Sequence, residues 1–389
     1  MTRFWPRSDP PLSADLPLGE RDEAGVAFHA VRRAAADLSA GLPVLLNGET
    51  SFVVLAVETA SNRALAEFAA LADGPSLLLL ASAQAAALLG RPPAREPGMI
   101  GFGLREEQLD PGLLLRLADP TAGEPLLKEG IEPAGVLPES APAALALAKL
   151  ARLLPAALIA PSRTEAEGIA ASLEILSVAA SDVLACAESR TLHVRRVSEA
   201  RVPLEAAADT RIIAFRITET GAEHLAILIG RPEEREAPLV RVHSACFTGD
   251  LLGSLRCDCG AQLRGAMARI AEEGAGAVLY LAQEGRGIGL FNKLRAYRLQ
   301  DGGLDTVDAN RVLGWGKDER NHGIAAAMLA ELGFRRVRLL TNNPEKLSAL
   351  ADAGIEIVER IPLVFPPNGV NDRYLETKAQ RLGHLLPRG

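Results

Sequence analysis

Three of the chain's four cysteines, Cys246, Cys257 and Cys259, fall within fourteen residues, and only Cys186 stands apart. Secreted disulfide frameworks have an even, dispersed set of cysteines, and this crowded set differs from that pattern. Zinc prefers thiolate and imidazole ligands, and a catalytic zinc site uses three protein ligands and keeps a fourth position open. The spacing therefore predicts a zinc site. Buried free thiols are the alternative, whereas a structural zinc finger would need two close pairs.

A glycine-rich segment follows an apolar run at residues 277–281 and precedes a helical pattern. Its sequence, QEGRGIG, is typical of a strand-to-helix turn, where backbone N–H groups bind anions. The glycine spacing differs from the dinucleotide-binding fingerprint. The carboxylate of Glu284 could accept hydrogen bonds from a guanine edge, and the guanidinium of Arg286 could meet a phosphate. A plain turn is the alternative.

Length and charge narrow the class of protein. A chain of 389 residues exceeds what one hydrophobic core usually serves, which predicts two domains. The net charge of −7 argues against a broad nucleic-acid interface. No apolar stretch is long enough to suggest a membrane span or a signal peptide, so we expect a cytoplasmic protein without a membrane partner.

Short apolar runs alternate with helical patterns throughout, which predicts an α/β (α+β) fold. Near residue 190 alanine-rich helical patterns give way to alternating or apolar runs that are typical of paired strands. We therefore place one domain at residues 1–190 and a second at 191–389, and we expect the second to have a mixed sheet and helices. Residues 1–20 are polar and proline-rich and are expected to form a loose arm. Predicted strands lie at 42–46, 52–57, 76–80, 211–216, 225–229, 277–281, 337–340 and 355–358. Predicted helices lie at 22–40, 63–71, 143–153, 262–273, 290–299, 322–332 and 344–353.

One helix start is especially clear. The predicted strand 337–340 leads to Thr341, Asn343 can cap the next helix, and Pro344 suits its first position. Free backbone N–H groups at that helix start would face whatever binds beside Thr341. We also expect Asp318 and Arg320 to lie at the opening of the helix over 322–332.

Seven ordered motifs in residues 193–389 resemble GTP cyclohydrolase II, the first committed enzyme of riboflavin synthesis. They are RVHSACFTGDLLGSLRCDCG, QEGRGIGL, NKLRAYRLQD, DTVDAN, DERNHG, LLTNNPEK and YLETKAQRLGHLL. The resemblance implies hydrolysis of GTP to 2,5-diamino-6-(5-phospho-D-ribosylamino)pyrimidin-4(3H)-one, formate and diphosphate. It implies one Zn²⁺ per subunit, Mg²⁺ with the triphosphate, and a homodimer.

The resemblance also assigns roles to matching positions. Cys246, Cys257 and Cys259 are the implied zinc ligands. Asp318 is the implied proton acceptor and Arg320 the implied nucleophile toward the α-phosphorus, although a guanidinium stays protonated in proteins and could act as a charge clamp instead. Tyr297 matches a position linked to full release of formate. The implied GTP contacts are Arg241, Val242, His243, Ser244, Gln262, Glu284, Gly285, Arg286, Thr306, Thr341 and Lys346. From the residues alone, His243 is either a fourth zinc ligand or a polar wall residue.

Two departures from the expected patterns stand out. Ala245 occupies a position where the GTP cyclohydrolase II family commonly has glutamate. Residues 1–190 weakly resemble dihydroxybutanone phosphate synthase, but only Glu49 remains of its acidic magnesium loop, and Ser140, Ala141 and Pro142 replace its His-Thr-Glu. One carboxylate cannot hold magnesium, which predicts a degenerate, synthase-inactive domain. Rival hypotheses are a bifunctional enzyme, a non-catalytic nucleotide-binding module and a ring-opening enzyme of another pathway.

Overall fold

Two separate sheets lie on either side of residue 190. They are seen in a computed structural model that describes residues 23–92, 98–123, 131–189 and 192–385. The predicted mixed α/β class is confirmed. The proposed loose arm at residues 1–20 lies outside the described residues.

The first sheet has six strands in the order β4-β3-β5-β2-β1-β6. Alternate residues of these strands enter two different cores, as Val53 and Val54 do, because helices cover both faces of the sheet. The strands are β1 (Val44–Asn47), β2 (Phe52–Ala56), β3 (Ser76–Ala81), β4 (Met99–Leu104), β5 (Ala156–Pro161) and β6 (Ser177–Ala179). The helices are α1 (Glu23–Ser39), α2 (Asn62–Leu71), α3 (Ser82–Leu88), α4 (Pro111–Ala118), α5 (Ala141–Leu150), α6 (Ala166–Ser172) and α7 (Ala180–Glu188).

The second sheet has seven strands in the order β13-β12-β10-β11-β9-β8-β7. The first four in this order run parallel, and the remaining pairs are antiparallel. The strands are β7 (Val194–Arg201), β8 (Thr210–Ile217), β9 (Glu223–Ile229), β10 (Leu239–Ser244), β11 (Gly276–Leu281), β12 (Arg336–Leu340) and β13 (Glu356–Ile361). The helices are α8 (Phe247–Asp250), α9 (Cys259–Glu272), α10 (Gly289–Asp301), α11 (Thr306–Val312), α12 (Gly323–Glu331), α13 (Pro344–Asp352) and α14 (Asp372–Gln380).

The parallel strands β12, β10 and β11 end at the same edge of the second sheet. In open sheets of this kind, ligands bind beyond the carboxyl ends of the strands. Cys246 follows β10, Glu284 follows β11, and Thr341 follows β12. The motifs that carry chemistry in the sequence therefore meet at one edge.

The structure contains several strands and helices that the sequence pattern did not predict, among them β4, β5, β6 and β7, and two differences bear on the site. Helix α12 begins at Gly323, so Asp318 and Arg320 lie in the loop before it rather than at its opening. The reason is local: the Asp318 carboxylate accepts a hydrogen bond from the Arg320 N–H, and the Asn321 side chain accepts one from the Gly323 N–H. The pattern also misses β10, because Arg241 interrupts its apolar run.

Candidate active site

The three cysteines of the crowded motif converge at the end of β10. Cys246 and Cys257 are buried, Cys259 is half-buried, and the three Sγ atoms all lie within 4.8 Å of one another. The Sγ atoms of Cys246 and Cys257 are 3.7 Å apart. These side chains can supply three ligand atoms to one metal ion.

Gly249 leaves the space that this sulfur cluster needs. A Cβ atom at Gly249 would lie 2.8 Å from Sγ of Cys257 and 3.0 Å from Sγ of Cys246, closer than real Cβ contacts allow. Three soft sulfur donors suit zinc better than magnesium or calcium, which prefer oxygen ligands. The residues present therefore fit a zinc ion.

Lys293 of α10 reaches the sulfur cluster from the side. Its ammonium donates hydrogen bonds to Sγ of Cys246 at 3.0 Å and to Glu284 at 2.7 Å. Hydrogen bonds from Cys257 and Cys259, together with this ammonium, lower the pKa of Cys246. Burial lowers the pKa of Lys293. The negative charge of Cys246 and the hydrogen bond to Glu284 raise it, and the net shift is upward. The centre thus combines thiolate with a matched cation.

The turn after β11 has an unusual backbone. Gly285, Arg286, Gly287 and Gly289 all have positive φ values, which are 62°, 63°, 96° and 86°. A positive φ is strained for a non-glycine residue such as Arg286 and is typical of functional sites. One guanidinium nitrogen of Arg286 is buried without a hydrogen-bond partner in the structure. Glu284 instead accepts hydrogen bonds from Lys293 and from the Phe247 N–H at 2.6 Å.

A chain of hydrogen bonds links the floor of the site to the C-terminal helix. Arg241 donates to the Leu340 carbonyl at 2.9 Å and to the Gln262 side chain, and Gln262 donates to Asp258 at 2.5 Å. Asp258 stands between two of the cysteines and pairs with Lys378 of α14 at 2.5 Å. Burial raises the pKa of Asp258, but the Lys378 charge together with the hydrogen bonds that the carboxylate accepts gives a net downward shift. Helix α14 therefore fixes the segment that carries two of the three sulfur atoms.

Two further basic side chains enter the site from the loop before α12 and from α13. Arg320 forms a bidentate pair with Asp318, and Lys346 donates a hydrogen bond to the Val242 carbonyl at 2.8 Å. Burial raises the pKa of Asp318, but the hydrogen bonds and charge of Arg320 lower it, and the net shift is downward. Burial lowers the pKa of Arg320, but the hydrogen bond and charge of Asp318 raise it, and the net shift is upward. Burial, followed by the nearby Arg241 and Arg320 charges, lowers the pKa of Lys346.

The predicted helix start beside Thr341 is confirmed. Helix α13 begins at Pro344, and the Asn343 side chain accepts a hydrogen bond from the Glu345 N–H at 3.0 Å. Lys346 lies in the first turn of this helix, so the helix N-terminus and a basic side chain face the same end of the site. This arrangement suits a phosphate group.

His243 does not join the sulfur cluster. Its Nε2 lies 3.1 Å from both carboxylate oxygens of Asp250, and its ring stacks on Tyr280 with centroids 5.6 Å apart. Among the described residues, the group that could hold a metal contains the three cysteines alone. His243 is thus a wall residue of the site, and its candidacy as a fourth ligand is not supported.

One solvent-open cleft unites these features. All the sequence-predicted site residues line it except Val242 and Asp318. Val242 contributes its carbonyl to Lys346, and Asp318 lies behind Arg320. Those that do line it are Arg241, His243, Ser244, Cys246, Cys257, Cys259, Gln262, Glu284, Gly285, Arg286, Tyr297, Thr306, Arg320, Thr341 and Lys346.

Comparison with known proteins identifies the family. A match to the GTP cyclohydrolase II family covers residues 195–362. The GTP cyclohydrolase-2 of Shigella boydii is 52% identical over 195 residues, which cover 50% of this chain and 99% of that protein. The chain belongs to the GTP cyclohydrolase II family.

Other relatives extend the match into the first half. The GTP cyclohydrolase-2 of Azospirillum brasilense is 58% identical over 248 residues, and this chain spans only 64% of that relative while matching over 63% of its own length. The riboflavin biosynthesis protein RibBA of Chlorobium phaeovibrioides is 43% identical over 291 residues, which cover 75% of this chain and 67% of that one. The solved structure of RibBX from A. baumannii, a two-domain 3,4-dihydroxy-2-butanone 4-phosphate synthase, matches 86% of this chain and 99% of its own with 18% identity and a TM-score of 0.32.

This GTP cyclohydrolase II cleft contains residues that the sequence did not single out. Tyr374, Lys378 and His384 come from the C-terminal segment and line the cleft beside the cysteines and the basic groups. Burial first, and then the surrounding cations, lower the pKa of His384 to about 3. The one available sequence signal was the motif YLETKAQRLGHLL, which the family resemblance includes without assigning roles.

The described part of this GTP cyclohydrolase II family member contains no helix with the length and apolar character needed to cross a bilayer.

Proposed function

We propose that this chain hydrolyses GTP to 2,5-diamino-6-(5-phospho-D-ribosylamino)pyrimidin-4(3H)-one, formate and diphosphate, as the first step of riboflavin biosynthesis. The observation that carries the proposal is a single cleft with a three-cysteine cluster and a cluster of basic residues. The three-cysteine cluster would hold the metal for opening of the guanine ring, and the basic residues would bind the triphosphate. Family membership supports the same reaction.

The proposed metal is one Zn²⁺ held by Cys246, Cys257 and Cys259. When bound, zinc supplies a nucleophilic water near neutral pH for attack on C8 of guanine. The ammonium of Lys293, 3.0 Å from Sγ of Cys246, offsets part of the negative charge that three thiolates create. Tyr297 stands on the same helix, with its hydroxyl 3.3 Å from that of Thr248, which lies 3.8 Å from Sγ of Cys246. These side chains orient the purine over the cluster.

The basic end of the cleft is the proposed triphosphate site, with Mg²⁺ accompanying the phosphates. Arg286, Arg320 and Lys346 line this end, and the N-terminus of α13 adds backbone N–H groups. We assign Arg320 as a charge clamp on the α-phosphate rather than as a nucleophile. Its buried partner Asp318 raises the pKa of Arg320, so the neutral guanidine that a nucleophile requires is disfavoured.

We propose a domain boundary near residue 190 and a first domain without synthase activity. Glu49 lies at the exposed β1–β2 turn, and Ser140, Ala141 and Pro142 stand at the start of α5. Among the described residues, the cluster of acidic, histidine or cysteine side chains that could hold a metal is the cysteine trio, and none of its members lies in the first half.

A homodimer and a cytoplasmic location complete the proposal. Exposed apolar side chains near the cleft support an interface with a second copy, because large apolar side chains grouped at a surface mark association sites. They are Phe247, Leu251, Leu252, Leu255, Phe291 and Leu294. A reducing compartment suits a chain whose four cysteines are all unpaired.

Incubation of the zinc-loaded protein with GTP and Mg²⁺ tests the proposal. We expect formate, diphosphate and the diaminopyrimidine product, identified by mass spectrometry. Absence of formate and diphosphate across a wide GTP range would leave a non-catalytic nucleotide-binding module. A different ring-opened product would point to another pathway. Conversion of ribulose 5-phosphate by the same preparation would establish a bifunctional enzyme and refute the inactive first domain.

A further inference from the structure

The two halves of the chain meet directly at the helix that serves the sulfur cluster. Helix α10 carries Lys293 and Tyr297 on the side that faces the cysteines. Asn292 and Arg295 of the same helix contact the first half. They are three residues apart, so they share one helix face. We propose that the synthase-like first half is a positioning element for α10, acting through an ion-pair network centred on Arg295. This inference rests on the proposed GTP cyclohydrolase function.

Arg295 is clamped by two carboxylates of the first half. Its Nε lies 2.8 Å from the Asp119 carboxylate, and one terminal nitrogen lies 3.0 Å from Glu58. The same nitrogen donates to the Asn292 side chain at 2.9 Å. Side-chain exposure is 18% for Arg295, 15% for Glu58 and 7% for Asp119. Because the network is largely withdrawn from water, removing one of its charges costs far more free energy than at a surface pair.

The two carboxylates are themselves held in place. Glu58 accepts a hydrogen bond from the Leu154 N–H at 2.6 Å. Asp119 accepts hydrogen bonds from the N–H and hydroxyl of Thr121 at 2.8 and 2.7 Å. Arg295 therefore binds a preorganised acidic site on the first half.

Packing and a main-chain contact support the same face of α10. Leu154 of the first half is fully buried in one cluster with Ile288 and Ala296. The Asn292 side chain donates to the Arg152 carbonyl at 3.2 Å. The helix thus rests on the first half along its inner side, while Lys293 and Tyr297 project toward the cleft.

A second contact reaches the loop that carries Asp318 and Arg320. Lys149 of the first half pairs with Glu319 at 3.1 Å, and the Glu319 N–H donates to the Arg286 carbonyl at 3.0 Å. With side-chain exposures of 34% and 29%, this pair is more solvated than the Arg295 network. The Arg295 network is therefore the stronger target for a test.

The test uses the full-length, zinc-loaded chain with Glu58→Gln and Asp119→Asn combined, which keeps side-chain size and removes both charges. We expect kcat to fall roughly ten- to a hundredfold, since small displacements of a catalytic group have effects of that size, while KM for GTP changes less. Formate should fall more than diphosphate, because Lys293 and Tyr297 stand on α10 and Arg320 does not. Amide hydrogen exchange in residues 289–301 should accelerate relative to α13.

Val53→Ala is the matched control, because it trims a fully buried side chain of the first half that takes no part in the Arg295 ion-pair network. It should lower the melting temperature without changing the formate-to-diphosphate ratio or the exchange of α10. If the double variant does not fold, Asp119→Asn alone is measured in the same way.

Unchanged turnover, product ratio and α10 exchange in a folded variant would overturn the inference. A variant that behaves like Val53→Ala would also overturn it, since the first half would then contribute general stability alone. If the wild-type chain releases neither product, the proposed function fails, and hydrogen exchange of α10 still decides whether the first half holds this helix.

Discussion

The ammonium of Lys293 lies 3.0 Å from Sγ of Cys246, and both groups are buried. A cation in this position would compensate for the charge of the proposed centre with three thiolate ligands, whereas the neutral ligands of a tris-histidine site would need no such partner. The sequence places these two residues 47 positions apart. Only the packing of α10 against the end of β10 brings them together.

Lys293→Met should weaken zinc binding about 10- to 100-fold, the usual effect of removing a group that orients or balances a metal ligand. Competition with a chromophoric chelator measures this affinity directly. Arg298→Met is the matched control, because Arg298 is an exposed cation of the same helix. Equal zinc affinities in the wild type and both variants would contradict the role given to Lys293.

Tyr297→Phe should stop the reaction at the formamide stage, with diphosphate still released and formate lost. The hydroxyl lies near the sulfur cluster through Thr248, whereas Arg320 is paired with Asp318 in the loop before α12. Separate assays of formate and diphosphate give the ratio. A variant that releases both products in equal amounts would remove Tyr297 from the formate step.

Asp318→Asn should destabilise the protein by about 1.5–3 kcal/mol, because it removes the charged hydrogen-bond partner of the half-buried Arg320. Diphosphate release should also fall, since Arg320 would lose its fixed orientation. Glu345→Gln is the control: its pair with Lys317 has side-chain exposures of 44% and 41%, so its loss should cost less than about 1 kcal/mol. Urea unfolding of the wild type and the two variants measures the loss of unfolding free energy in each variant. Equal losses in Asp318→Asn and Glu345→Gln would refute the predicted difference.

His322 gives a pH-dependent term in stability. Burial, followed by the Arg320 and Lys346 charges, lowers the pKa of His322 from 6.5 to about 3. Between these values the unfolded chain binds a proton that the folded chain does not, so stability is full above about pH 6.5 and declines as pH falls toward 3. His322→Phe should flatten this decline by up to about 1.4 kcal/mol per pH unit. If the free energies of unfolding of the wild type and the variant fall in parallel from pH 7 to pH 4, the role given to His322 is contradicted.

Local features were predictable from sequence where a few neighbouring residues determine the structure. The start of α13 follows from Asn343 and Pro344 alone, and the spacing of the cysteines predicted the three-sulfur cluster that could hold a metal ion. The prediction that Asp318 and Arg320 open helix α12 is wrong, because the Asp318 and Asn321 side chains accept hydrogen bonds from backbone N–H groups in this segment and hold it as a loop.

Long-range features were not predictable from sequence. The Asp258–Lys378 pair joins residues 120 positions apart, and the Arg295–Glu58 pair joins residues 237 positions apart. Each depends on how separate elements pack, and a charged residue on a helix usually marks a solvated face. The family resemblance supplied the catalytic roles, but it gave no reason for the first half to be present.

The most direct test of the central claim combines zinc analysis with product release for the wild type and Cys257→Ser. The account predicts one zinc per wild-type chain and equal amounts of formate and diphosphate from GTP. It predicts loss of both the metal and formate release in the variant, which remains folded by circular dichroism. Formate release that persists in zinc-free Cys257→Ser protein would contradict the account.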